Sequence, residues 1–203
     1  MKTHTKEFQE NLTPETALTV LKEGNQRFIK NLKTQRNHLD LVEETSEGQY
    51  PFAVVLSCID SRVPAELVFD QGIGDIFSVR IAGNIVNEDI LGSIEYGCAV
   101  AGSKIVIVLG HSNCGAVTAA CNGVELGNIT ALLSKIQPAV DVVRPSVEEF
   151  NAEAIQTVSN TNVGLAIETI RKESPILKKM EHKGEVKIVG AMYHVHSGEV
   201  TWI

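Results

Sequence analysis

Two short apolar runs that each end in a cysteine constrain this chain more than any other feature. The first is FAVVLSCIDSR over residues 52–62, and the second is IVIVLGHSNCG over residues 105–115. Continuous runs of branched aliphatic residues are typical of parallel strands that are buried on both faces. Ligands collect where the carboxyl ends of such strands give way to loops. We therefore expect both cysteines to lie at the same edge of one sheet.

The side chains at these two run ends predict a metal site. Cys58, His111 and Cys114 offer two thiolates and one imidazole, a set that suits zinc better than magnesium or calcium. Three protein ligands leave a tetrahedral ion one open position, as in catalytic zinc sites. Asp60 and Arg62 follow closely. Each motif alone is weak, because an Asp-Arg pair can simply tie down a loop, but the two together favour zinc.

Composition indicates one domain in a reducing compartment. The chain has 203 residues, of which 43% are hydrophobic, enough for one sizeable core. The formal net charge is −7 and the basic residues are scattered, so nucleic-acid binding is not expected. The polar N-terminus and the lack of a membrane-length apolar run predict a cytoplasmic protein without membrane association. Four cysteines, two of them in the metal motif, favour zinc chemistry over disulfides.

The order of predicted elements indicates a single α/β domain. Strands expected at 52–57, 76–80, 104–110 and 186–192 alternate with helices, which predicts a mostly parallel four-stranded sheet flanked by helices. Residues 193–203 are expected to form a C-terminal edge hairpin by themselves. Helices are expected at 63–69, 88–100, from about 113, at 128–142, at 147–173 with a break or a bend near 160–164, and at 175–183.

The first 50 residues are expected to form an N-terminal helical arm. Thr13-Pro14-Glu15 begins a helix that extends to about residue 32. A bend or a break is expected at Gly24-Asn25, because glycine costs about 1 kcal/mol relative to alanine inside a helix. Residues 33–49 lack a clear period and are expected to form a loop or irregular turns. The chain then divides into an arm, 1–50, and an α/β catalytic domain, 51–203, within one structural unit.

The motifs as a set resemble the β-class carbonic anhydrases. C-x-D-S-R is present at 58–62 and H-x-x-C-G at 111–115. The resemblance continues through GNQRF at 24–28, R-x-AGN at 80–84 and SIEY at 93–96. It covers most of the chain, and the combination is highly specific.

The resemblance implies one zinc ion per chain, held by Cys58, His111 and Cys114, with water or hydroxide in the fourth position. Zinc lowers the pKa of bound water to about 7, and the hydroxide attacks carbon dioxide reversibly to give bicarbonate and a proton. No organic cofactor is needed. Asp60 would accept a hydrogen bond from the bound water while Arg62 keeps that carboxylate off the metal. If the pair breaks, Asp60 can become the fourth ligand and close the site.

Three further residues are assigned by resemblance alone. Gln49 would donate a hydrogen bond to substrate in the neighbouring subunit, and Phe77 and Tyr96 would line an apolar pocket for carbon dioxide. The alternatives are an ordinary loop residue for Gln49 and core packing for the two aromatic residues. The family implies a homodimer, or a dimer of dimers, in which the arm wraps a neighbour.

One departure from the family pattern concerns regulation. Some relatives have an inhibitory bicarbonate site that uses a tryptophan three residues before the first cysteine, together with an arginine and a tyrosine. Here that position is Val55, although Arg80 and Tyr193 remain. We therefore predict no such regulatory pocket, and a zinc site that is open near neutral pH.

Two other functions compete with carbon dioxide hydration. Hydrolysis of carbonyl sulfide or carbon disulfide would use the same ligands, and the sequence does not separate it from hydration, although the family as a whole favours carbon dioxide. A zinc-binding module without turnover is disfavoured, because a structural site has no need of an oriented carboxylate beside an open position. His194 and His196 alternate near the C-terminus; we interpret them as one exposed strand face rather than as a second metal site.

Overall fold

A mixed sheet lies at the centre of the computed structural model, which describes residues 3–203; the first two residues of the predicted arm lie outside this range. The strand order is β2-β1-β3-β4-β5, with the first four strands parallel and β5 antiparallel to β4. The predicted α/β class and the parallel sheet are confirmed. The strands are β1 (Ala53–Ser57), β2 (Ile76–Arg80), β3 (Ile105–His111), β4 (Lys187–Tyr193) and β5 (Val200–Trp202).

The C-terminal hairpin differs in one respect from the prediction. It is formed by β4 itself with β5, and Tyr193 pairs with Val200, so residues 193–203 contribute one new strand rather than two. The apolar pattern of β4 runs on to Tyr193, which also pairs with His111 at the end of β3. This extra residue of pairing places the turn after β4 beside the end of β3.

Strands β1 and β3 are buried along their whole length. Ala53 and Val55 face one core cluster, which contains Leu21 and Phe69 from outside the sheet. Val54 and Leu56 face a second cluster, packed under the helices on the other side. The continuous apolar runs thus have the cause that the sequence indicated: each face of these strands meets a helical layer.

The arm contains three helices: α1 (Lys6–Asn11), α2 (Pro14–Ile29) and α3 (His38–Glu44). Helix α2 begins as predicted, with the Thr13 side chain accepting a hydrogen bond from the Thr16 amide. The helix is continuous through Gly24-Asn25, so a break there is wrong, and tertiary contacts support the helix at these two residues. Gly24 lies against the Phe69 carbonyl. The Asn25 amide donates to the carbonyls of Val68 and Gly198.

The predicted loop at 33–49 is also wrong in part. Helix α3 forms within it, because the Asn37 side chain accepts a hydrogen bond from the Leu39 amide and Leu41 is buried. A helix of seven residues with one buried leucine shows too little apolar periodicity to be detected in the sequence.

Two of the remaining helical segments have different boundaries from those that the sequence predicted. The helix expected at 128–142 is two helices, with Pro138 in the first turn of the second, where proline is well tolerated. The helix expected at 147–173 begins at 152, after the Asn151 cap, and shows no break near 160–164, because its buried face packs without interruption. The helices that follow the arm are α4 (Ala65–Val68), α5 (Glu88–Glu95) with a π turn at Tyr96–Val100, α6 (Gly115–Cys121), α7 (Gly127–Leu133), α8 (Gln137–Val143), α9 (Ala152–Glu173) and α10 (Pro175–His182).

Within residues 3–203, no helix combines the length and the apolar character needed to cross a membrane.

Two helical glycines provide a matched test of this packing. In Gly24→Ala the new Cβ would lie 1.8 Å from the Phe69 carbonyl oxygen, so we expect a loss of about 1–3 kcal/mol in the free energy of unfolding. In Gly164→Ala the new Cβ meets nothing within 4 Å, so we expect a gain of about 1 kcal/mol from helix propensity. Denaturant unfolding measures both. Equal changes in the free energy of unfolding in the two variants would contradict the close approach of α2 to Phe69.

Candidate metal centre

The parallel register of β1 and β3 brings the three predicted ligands together. Ser57 pairs with Leu109, so Cys58, the next residue after β1, reaches the same edge as His111 at the end of β3. Asn113 then adopts a left-handed conformation, with φ of 55°, and the resulting tight turn returns Cys114 to the edge. The ligand atoms of Cys58, His111 and Cys114 all lie within 4.8 Å of one another, and all three residues are buried.

The histidine is oriented as a metal ligand. His111 Nδ1 lies 2.9 Å from the Ser112 carbonyl oxygen, which can only accept, so the proton is assigned to Nδ1. Nε2 is then left with a lone pair, and it is buried without a hydrogen-bond partner among the described residues. A buried polar atom of this kind is costly unless a ligand satisfies it. Two sulfurs and this nitrogen fit a zinc ion.

The two cysteines form a coupled pair with opposite shifts. Hydrogen bonding with Cys114 lowers the pKa of Cys58 to about 4, and His111 and the Gly83 amide act in the same direction against the effect of burial. The Gly83 amide nitrogen lies 3.3 Å from the Cys58 sulfur. The pKa of Cys114 is raised, chiefly by its hydrogen bond to Cys58 and then by burial. The pair therefore favours one thiolate and one thiol, whose proton a bound cation would displace.

Asp60 is held beside the cluster by Arg62. The Arg62 Nε lies 2.9 Å from Asp60 Oδ1, and its Nη2 lies 2.7 Å from Oδ2. This pairing is the main cause that lowers the pKa of Asp60 to about 2. Asp60 Oδ2 lies 4.0 Å from His111 Nε2. An ionised carboxylate thus lies next to the buried nitrogen, within reach of a small molecule bound between them.

Two arginines fix the backbone of this loop. Arg62 Nη2 also donates to the Asn113 carbonyl at 3.2 Å, which links the two ligand-bearing turns. Arg80 donates to the carbonyls of Cys58 and Asp60, at 3.0 Å and 2.7 Å. The sequence pattern assigned Arg80 only to the regulatory site. Its position at the end of β2 (Ile76–Arg80), the strand beside β1, was the signal that could have predicted this second role.

The other predicted site residues fall into two groups. The rings of Phe77 and Tyr96 lie 6.4 Å apart, edge to face, and both line a groove of about 780 Å³ between β2 and α5, together with Arg80 and Ser93. Gln49 is exposed after α3, and no hydrogen bond in the described chain connects it to the cluster. One chain therefore brings the aromatic pair together and leaves Gln49 apart.

The C-terminal histidines do not form a second metal site in the described chain, where the Cys-His-Cys group is the only candidate cluster. His194 contacts the Thr201 hydroxyl, and His196 contacts the Asn113 amide at 3.2 Å. Both follow the end of β4, so the expectation of a shared strand face is wrong. The longer pairing of β4 moves them into the turn.

The similarities to known proteins agree with this geometry. A sequence model of the carbonic anhydrase family matches residues 53–200. Carbonic anhydrase 2 of Mycobacterium tuberculosis is 34% identical over 192 residues, which cover 93% of this chain and 92% of that protein. The solved structure of the beta-carbonic anhydrase CcaA gives a TM-score of 0.74 at 26% identity, over 91% of this chain and 94% of that one. A tetrameric beta-carbonic anhydrase of Sordaria macrospora shares the fold, with a TM-score of 0.70 at 22% identity, over 78% of this chain and 83% of that one.

The sheet order and the buried Cys-His-Cys cluster define an α/β protein with a candidate metal centre at the carboxyl edge of its parallel strands. The family match covers most of the chain, and the mycobacterial relative covers nearly all of it. The chain belongs to the carbonic anhydrase family, a family of lyases, as the motifs at Cys58 and His111 predicted.

The Asp60–Arg62 pair predicts a defined response to acid. Its stabilisation is complete above the ordinary aspartate pKa of 3.8 and is lost as the pH falls toward the folded pKa of about 2. In Arg62→Met the pKa of Asp60 should rise toward 3.8, and Arg62→Lys should give an intermediate value because it keeps only the charge. Carboxyl-carbon NMR titration measures all three. An unchanged Asp60 titration in Arg62→Met would contradict the assigned cause.

Proposed function

We propose that this protein catalyses the zinc-dependent, reversible hydration of carbon dioxide to bicarbonate and a proton. The observation that carries the proposal is the buried Cys58-His111-Cys114 cluster with Asp60 held beside it. Zinc bound there would act as a Lewis acid that ionises water near neutral pH and so supplies the nucleophile. The donor set supports zinc as the metal, one ion per chain.

Asp60 would orient the reacting water. With a pKa of about 2, its carboxylate is ionised across the neutral range and can only accept hydrogen bonds. Its Oδ2 lies 4.0 Å from His111 Nε2, close enough to accept a hydrogen bond from water held at the cluster and so to direct a lone pair of that water at carbon dioxide. Arg62 holds both carboxylate oxygens, which supports an open fourth position near neutral pH. Loss of that pairing would let Asp60 become the fourth ligand.

The substrate would enter over Phe77 and Tyr96. Carbon dioxide is small and uncharged, so an apolar wall suits it better than a polar one. Both rings line the same groove as Arg80, which donates to the Asp60 carbonyl, and this neighbourhood supports the role. Bicarbonate, the charged product, would leave toward the open groove.

Assembly would complete the site. We infer at least a homodimer in which the arm, 1–50, packs on the neighbour of the catalytic domain, 51–203, and presents Gln49 to its substrate. Apolar side chains exposed on one chain support such contacts: Leu39 is 78% exposed on α3, and Val100 is 70% exposed at the end of the π turn. Two such dimers could pair into a tetramer, the assembly of the Sordaria macrospora relative.

We expect no regulation by bicarbonate at the site that some relatives use for it. Val55 is fully buried in the core, and Arg80 is engaged with the Cys58 and Asp60 carbonyls. A cytoplasmic location is proposed on the four free cysteines, which suit a reducing compartment.

Stopped-flow hydration assays test the reaction directly. Wild-type protein with one zinc per chain should hydrate carbon dioxide near neutral pH. In Asp60→Asn the rate should fall about 10-fold to 100-fold, the usual effect of removing a residue that orients a metal-bound group, while zinc content stays the same. Asp141→Asn, a change of equal charge on α8, is the control and should match wild type.

Two outcomes would redirect the assignment. Zinc at one per chain with turnover of carbonyl sulfide or carbon disulfide, and none of carbon dioxide, would make the protein a hydrolase of the same fold. Zinc binding without turnover of any of these substrates would favour a binding module.

Mixed dimers test the position of Gln49. Gln49→Ala should lower kcat/KM by about 10-fold through loss of a hydrogen bond to substrate, and Cys58→Ser should abolish zinc binding at its own site. Co-expressed in equal amounts, the two variants should recover about a quarter of the wild-type activity, because half of random two-fold dimers are mixed and each has one complete site. Activity no higher than the average of the two separate variants would place Gln49 outside the neighbour's site.

A further inference from the structure

A buried asparagine on α9 contacts the turn that carries the hydrogen-bond donor of Cys58. The Asn162 amide nitrogen donates to the Gly83 carbonyl at 2.9 Å, and the Gly83 amide lies 3.3 Å from the Cys58 sulfur. Asn162 is only 5% exposed. A chain of two hydrogen bonds thus runs from the middle of α9 to one of the three predicted metal ligands.

Gly83 is the point in this turn that most needs support. Its φ is 69°, in the left-handed region, and a Cβ at this position would lie 2.5 Å from the Ile136 side chain. Glycine is therefore required here, and glycine has the greatest backbone freedom of any residue. A flexible peptide would aim its N–H poorly unless a second contact fixed it.

Helix α9 provides a rigid base for that contact. It spans 22 residues, and the neighbours of Asn162 on its buried face include Val158 and Val163, both fully buried. Val158 belongs to the same apolar cluster as Cys58 and Cys114. A polar group held on such an element positions its partner more accurately than one on a loop would.

We propose that Asn162 is a positioning residue of the metal centre, which acts through Gly83 to keep an N–H donor directed at the Cys58 sulfur. This inference rests on the proposed function only in taking Cys58 as a metal ligand. Outer partners of metal ligands orient them and tune the electron density that they give to the metal. Asn162 adds a further layer, because it orients the donor rather than the ligand itself.

Two variants and one control test this role. Asn162→Ala removes the amide, and Asn162→Leu removes it while keeping a side chain of similar size. Ser159→Ala is the control, because its buried hydroxyl lies one turn earlier on α9 and donates only to the Ile155 carbonyl. All three are compared with wild type for zinc affinity, by competition with a chromogenic chelator, and for the thiolate-to-metal band of the cobalt-substituted protein.

We expect zinc to bind about 10-fold more weakly in both Asn162 variants, the lower end of the effect of outer-shell changes. The cobalt band should move to longer wavelength, because an N–H bond lowers the energy of a sulfur lone pair. Ser159→Ala should stay within about twofold of wild type, since it leaves the metal's outer partners intact. If Asn162→Ala does not fold, the zinc affinity and the cobalt band of Asn162→Leu test the inference in its place.

Zinc affinity and a cobalt band in the Asn162 variants that match those of Ser159→Ala would overturn the inference. Failure of the proposed function looks different. Wild-type protein that binds zinc without hydrating carbon dioxide would contradict the hydration reaction, and the metal measurements would still support or overturn the role of Asn162.

Discussion

The parallel pairing of β1 with β3 is the constraint on which the rest of this structure depends. Neighbouring strands lie about 4.8 Å apart, so two ligands at adjacent strand ends arrive close to metal-binding separation without further folding. Cys58 follows β1 directly and His111 ends β3. That geometry requires both strands to be buried on both faces, and the arm on one side and α9 on the other meet that requirement.

The environment of the metal centre favours negative charge. The Gly83 amide lies by the Cys58 sulfur, and Arg62 and Arg80 hold the adjoining loop. The Gly83 N–H helps to lower the pKa of Cys58, and Arg62 is the main cause that keeps the Asp60 carboxylate ionised. Arg62 also restrains the backbone through the Asn113 carbonyl, so in this residue electrostatics and positioning have a common source. The described contacts around the cluster are accordingly preorganised by its own chain.

The arm shows how tertiary contacts override local preference. Glycine and asparagine in the middle of α2 disfavour a helix by propensity, yet Gly24 is where the helix meets the Phe69 carbonyl and Asn25 satisfies backbone groups of two other segments. Gly164 is similar, because the packing of α9 on β3 and β4 outweighs the weak propensity of one residue. Helix α3 is the converse case, in which a cap and one buried leucine are enough once the surrounding surface exists.

Local sequence patterns were enough to predict the strands, the sheet class and the candidate metal ligands Cys58, His111 and Cys114. The patterns are continuous apolar runs, followed by polar residues at fixed spacing. The groups that surround the three candidate ligands depend instead on long-range packing. Asn162 and Gly83 are 79 residues apart, and no local pattern relates them, because their contact depends on how α9 packs on β3 and β4. The separation of Gln49 from the cluster within one chain was likewise decided by the path of the backbone after α3.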